Sequence, residues 1–187
     1  MRAFFLAEGP LRLRWSPWRR GVGRTFLAIF LFCGAAIGCH HGQLRGGLFS
    51  KSNVRYRIGE LPAGWKPVSL SDNDLAWISN GTDHSIAVNS TCEGYDDVPL
   101  QALTQHLLMG FTDRHLIKQE AEMLDGREAL RSHYTARMDG VPVELLLVVM
   151  KKNGCIYDFT YVSPVGRFEE KLPDFERLLE GFKVEAP

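Results

Sequence analysis

Residues 127–161 read REALRSHYTARMDGVPVELLLVVMKKNGCIYDFTY, and this stretch decides the fold. It holds two dipeptides, Asp139-Gly140 and Asn153-Gly154, each set between runs with strand character. Such pairs accept the backbone angles of the tight turns whose twist suits antiparallel strands, so each marks a two-residue hairpin. A two-residue turn also fixes the register. Met138 faces Val141, which sets Tyr134 against Leu145, Ser132 against Leu147 and Leu130 against Val149 on one side of the sheet. His133 with Leu146, and Arg131 with Val148, fall on the other side. The second turn extends that other side by pairing Met150 with Tyr157, Val148 with Phe159 and Leu146 with Tyr161. The middle strand is thus apolar on both faces and needs cover above and below. The expected fold class is α+β, a three-layer α/β/α sandwich around a mostly antiparallel, meandering sheet.

Working outward, HLIKQEAEMLDGREALRSHYTARMDG alternates as two strands broken near Asp125 and Gly126. DLAWIS (74–79) and HSIAVNST (84–91) flank a loop at 80–83 with hairpin chemistry. LPAGW (61–65) is a turn leading into a first strand, with Trp65 lying on the core. Pro99 opens a helical pattern in which Leu100, Leu103, Leu107, Leu108 and Phe111 share one face. A second helix is expected near Pro173–Glu180, burying Phe175, Leu178, Leu179 and Leu172, before a closing segment at Phe182. Taken together, LPAGW, the early hairpin, the Leu-rich helix, the long hairpin run and FERLLEGF resemble the PsbP-like domain of photosystem II extrinsic proteins and small bacterial lipoproteins. The resemblance implies an extracytoplasmic domain that binds or helps assemble other proteins. It carries no functional residue over to this chain.

The N-terminal region has a different character. Residues 1–39 carry six arginines against one acid, whereas the rest of the chain is mildly acidic, so the formal net charge of zero conceals an asymmetry. Residues 25–38 form an uncharged apolar run, short for a membrane span but suited to the apolar segment of an export signal. The run ends Ala35-Ala36-Ile37-Gly38-Cys39, which resembles the lipobox of bacterial lipoproteins with Ala36 where Leu is commonest. The expected organisation is a signal peptide at 1–38, with a true start at Val22 as an option. A lipidated Cys39 and flexible tether follow at 39–53, and a PsbP-like globular domain at 54–187. Acyl chains on Cys39 would hold the protein on a membrane. By the same resemblance, His40 in place of Asp favours the outer membrane, on its periplasmic side, over the inner one. His40 and His41 in a mobile linker supply too few fixed ligands for a metal.

In an oxidising compartment Cys92 and Cys155, each at a strand end, are expected to pair, the alternative being two separate buried thiols. No nucleophile elbow, zinc helix, phosphate loop or dinucleotide fingerprint occurs, so neither catalytic residue nor cofactor is assigned. Glu93, Asp96 and Asp97 read as a solvated turn rather than a calcium loop. Arg127, Arg131, His133 and Arg137 share one strand face. They form either a sheet rim of snorkelling side chains or a docking groove for an acidic or lipidic partner. The acidic body gives no reason to expect nucleic acid as a partner. The expected function is that of a membrane-anchored envelope module binding or assembling other proteins. The alternatives are a small-ligand or lipid carrier, with a cavity between helix 100–111 and the sheet, and an unrecognised enzyme.

Overall fold

The computed structural model describes residues 42–81, 83–92 and 97–185. The expected signal peptide with its optional start at Val22, Cys39, His40, His41 and most of the 93–97 turn lie outside them. A seven-stranded antiparallel sheet dominates. Its strands are β4 (Trp65–Val68), β5 (Leu75–Ser79), β6 (Ser85–Thr91), β7 (Phe111–Leu124), β8 (Arg127–Met138), β9 (Val141–Lys152) and β10 (Cys155–Pro164), in the order β4-β5-β6-β10-β9-β8-β7. All pairs computed from the two tight turns occur as expected, from Met138 opposite Val141 to Leu146 opposite Tyr161. Asp139-Gly140 and Asn153-Gly154 take the positive φ angles that such turns demand.

The sheet departs from a single meander in one respect. Two meanders, β4-β5-β6 and β7-β8-β9-β10, are sewn together by β6 against β10. The chain makes that crossing through helix α1 (Leu100–Leu107), which packs over β8 and β9. The helix is shorter than the apolar spacing implies. It is capped at Leu108, Gly110 turns at φ +91°, and Phe111 begins β7 instead of ending the helix.

The two faces of the sheet are covered differently. Leu103 and Leu108 from the α1 region meet Val149, Ile156, Leu145 and Leu147 on one side. On the other, Leu146, Val148, Tyr157, Phe159 and Tyr161 pack against Phe175, Leu178 and Leu179 of helix α2 (Leu172–Glu180) and against Phe182. Each such fully buried side chain contributes about 1.5–3 kcal/mol relative to exposure.

This second face also carries a small four-stranded sheet, with β1 (Gln43–Arg45), β2 (Leu48–Lys51), β3 (Val54–Arg57) and β11 (Lys183–Val184) in the order β1-β2-β3-β11. The expected flexible tether at 39–53 is therefore corrected over its described part. Gly46-Gly47 is a hairpin turn with both φ angles positive, and Phe49 is completely buried against the core. The hairpin forms because burying Phe49, Val54 and Tyr56 compensates for ordering short strands. Helix α2 locks onto this sheet by close backbone approach, with the Gly59 N–H donating to the Leu178 carbonyl at 3.0 Å. A Cβ on Gly59 would lie 1.9 Å from the Arg177 carbonyl oxygen, a contact only glycine avoids.

Candidate functional site

The basic strand face is the first place to look. On β8 the alternating set Arg127, Arg131, His133 and Arg137 points toward the α2 side, but the four do not converge on one groove. Arg131, with a side chain 18% exposed, donates to Glu176 with both terminal nitrogens and to Glu122 at 3.4 Å. Burial works against the charged guanidinium, yet Glu176 and Glu122 outweigh it and hold the pKa above its ordinary value. Burial likewise raises the Glu122 carboxyl, against the pull of Arg131. The His133 ring stacks on Phe168 at 4.1 Å between centroids, and its Nε2 lies 3.1 Å from Glu144. Arg137 contacts Asp113 at 3.1 Å and donates to the Gly140 carbonyl, and Arg127 is exposed at the start of β8.

These partners predict the outcome of reversing one charge. Arg131→Glu would set a third carboxylate beside Glu122 and Glu176. It should destabilise the protein by roughly 1–3 kcal/mol, a buried-pair value discounted for partial exposure. A thermal melt read beside Arg131→Met, which keeps most of the stem, checks this. An unchanged melting temperature for the Glu variant would remove Arg131 from the structural framework.

A second polar cluster escaped sequence reasoning because its members are far apart in the chain. The buried Asp74 carboxylate accepts from Tyr56 at 3.2 Å, from Ser90 Oγ and from Lys51 Nζ, and Lys51 also donates to the Ser90 carbonyl at 2.7 Å. Burial, then the charge of Asp74, drives the Tyr56 hydroxyl pKa upward. The Ser90 proton is committed to a carboxylate already paired with lysine. The arrangement binds β2, β3 and β6 together and does not activate a nucleophile. It lies beside a groove of about 520 Å³ that includes Leu44 and the 67–77 segment.

The third site lies on the opposite face, under α1. Ile156, Asp158, Thr160 and Val162 alternate toward that side of β10, and Asp158 sits in the ladder between Asn89 of β6 and Val149 of β9. A cavity of about 160 Å³ opens there, lined by Leu103, His106 and Leu107 of α1 together with Asn89, Thr91, Val149, Ile156 and Asp158. The Asp158 carboxylate takes part in none of the hydrogen bonds or ion pairs among the described residues. Burial, reinforced by Asp74 and opposed by Lys51, pushes its pKa up to about 7. One sequence signal pointed here, the single acidic residue inside the apolar run CIYDFTYV.

Cys92 and Cys155 form a disulfide immediately beyond the last β6–β10 pair, Thr91 opposite Ile156.

No family model matches the chain, and no curated protein matches it. Solved structures do. The solution structure of cyanobacterial PsbP (CyanoP) from Synechocystis sp. PCC 6803 superposes with a TM-score of 0.57 at 17% identity, covering 83% of this chain and 99% of that one. LpqN of Mycobacterium tuberculosis, described as involved in cell envelope biogenesis, superposes with a TM-score of 0.51 at 14% identity, covering 73% of this chain and 87% of its own. The chain has a PsbP-like fold.

Proposed function

We propose that the protein is a lipid-anchored module of the bacterial cell envelope that binds or helps assemble other proteins and performs no chemistry itself. The observation that carries this reading is the Cys92–Cys155 disulfide, since such bonds persist in oxidising compartments outside the cytoplasm. It agrees with the export-like run at 25–38, which ends at Cys39. The anchor is the set of acyl chains on Cys39, and the site of residence is the periplasmic face of the outer membrane. The envelope role described for LpqN is in keeping with that location. A lipid-carrier reading places its ligand between α1 and the sheet, and the cavity there, about 160 Å³, is small for an acyl chain.

The test is metabolic labelling of the full chain with an alkyne palmitate analogue, followed by in-cell crosslinking. Wild type should take up label and crosslink to a discrete envelope protein. Cys39→Ala should lose the label and accumulate as precursor or soluble protein. Label that survives the substitution would overturn the anchor, and an acylated chain that crosslinks to nothing would overturn the assembly role.

A further inference from the structure

We propose that the cavity beneath α1 is a receptor pocket for one primary ammonium group on an alkyl stem, the end of a lysine side chain offered by a partner protein, with the Asp158 carboxylate as its counter-charge. The proposal rests on the protein-binding reading above and names the chemistry of the contact. Three features carry it.

The first is the carboxylate itself. Asp158 is partly buried in a half-open cavity and finds no donor among the described residues. A carboxylate partly withdrawn from water is commonly paired, hydrogen-bonded or shifted toward its protonated form. The upward shift of its pKa to about 7, caused first by burial, is the last of these. A cation entering the cavity would restore the missing partner.

The second is the number of acceptors. Asn89 and Thr91 line the same cavity and add an amide oxygen and a hydroxyl oxygen to the carboxylate. An ammonium group has three donors and behaves as a compact point charge, which suits three acceptors of this kind. A guanidinium brings five donors in a rigid plane and would leave some of them against the apolar walls of Leu103, Leu107 and Val149.

The third is size. At about 160 Å³ the cavity is well below the roughly 300–1,000 Å³ typical of pockets for drug-sized ligands, and it corresponds to the end of a single side chain. Its apolar walls would enclose the methylene stem, as lysine stems are commonly buried while the head finds a polar partner.

Occupancy should depend on pH through groups that can be named. His106 of α1 lines the cavity, β6 contributes the neutral Asn89 and Thr91, and β9 contributes Val149 with Lys151 next to it on the same face, opposite Ile156, while Asp74 and Lys51 act on Asp158 from across the sheet. Raising the pH through about 7 ionises Asp158 while an alkylammonium stays charged, so binding should strengthen up to about pH 8.

The experiment is an NMR titration of the full chain in detergent with Nα-acetyl-lysine amide and n-butylammonium. Nα-acetyl-arginine amide and n-butanol serve as controls. Saturable shifts confined to 103–107 and 156–158 are expected for both ammonium probes at pH 8, with at least about tenfold weaker binding of either control. Asp158→Asn should weaken ammonium binding at least about tenfold, as expected on removing one partner of a partly desolvated charge pair. That variant should also melt higher than wild type, so the loss could not be ascribed to unfolding. Equal binding by the variant, equal binding of butanol, or no shifts at pH 8 would each overturn the pocket. Binding of butylammonium but not of the lysine derivative would overturn a side-chain ligand. This readout requires neither acylation nor a partner, so its failure is distinguishable from loss of label or crosslink in the cell.

Discussion

Breaking the Cys92–Cys155 bond is expected to lower the unfolding free energy by roughly 4 kcal/mol. The two cysteines are 63 residues apart, and in the chain-entropy picture closing a loop of that length removes about this much freedom from the unfolded chain. Measured losses of native bridges fall at about 2–5 kcal/mol. Location adds to the effect. The bond lies at the end of the β6–β10 ladder, the pairing that unites the two meanders of the large sheet. Urea titrations of the oxidised protein, the reduced protein and a Cys92→Ala, Cys155→Ala double variant provide the check. The midpoint should fall equally in the last two, and a midpoint insensitive to reductant would show that the bridge does not hold the meanders together.

The second large effect runs in the opposite direction. The Asp158 carboxyl has a pKa of about 7 in the fold against 3.8 for an ordinary aspartate. Between those two values the folded state keeps a proton that the unfolded state has released. Stability from this residue is therefore full at low pH, declines as pH rises through the window, and reaches its minimum above about pH 7. At about 1.4 kcal/mol per unit the ceiling is roughly 4 kcal/mol, and partial access to solvent places the expected figure nearer 2–4 kcal/mol. Asp158→Asn has no charge to desolvate. The variant should match wild type near pH 4 and exceed it increasingly up to pH 8, as read by denaturant midpoints at several pH values. A constant difference across that range would mean that Asp158 is solvated in the folded protein.

The strands that sequence reasoning read correctly are those whose instructions are local. Asp139-Gly140 and Asn153-Gly154 specify turn and register within a few residues, so every cross-strand pair from Leu130 to Tyr161 followed by counting. Gly46-Gly47 carried the same instruction and was missed, because three glycines beside short polar strands look like linker until Phe49 is seen under Tyr56, with ring centroids 4.9 Å apart. Counting also put the four basic residues of β8 on one face. It could not supply their partners, since Glu176 and Phe168 come from elsewhere in the chain and turn an apparent basic stripe into separate, satisfied contacts. The Asp74 cluster and the Asp158 cavity were hidden for the same reason. The Asp74 cluster draws on both sheets, and the Asp158 cavity on α1 and three strands of the large one, segments that meet only in the folded chain.

The small sheet also sets a timetable for folding. Its order β1-β2-β3-β11 joins its earliest strands to its latest, and the exposed Arg57–Glu185 pair at that seam links residues 128 positions apart. At synthesis rates of about 5–20 residues per second, β3 emerges many seconds before β11 exists. Until then Phe49 and Tyr56 lack Phe182 beside them, and β6 has no β10 to join. Contacts so distant along the chain form late and slowly. A polypeptide built this way cannot close either the β3–β11 or the β6–β10 seam until the strands near its C-terminal end have been made.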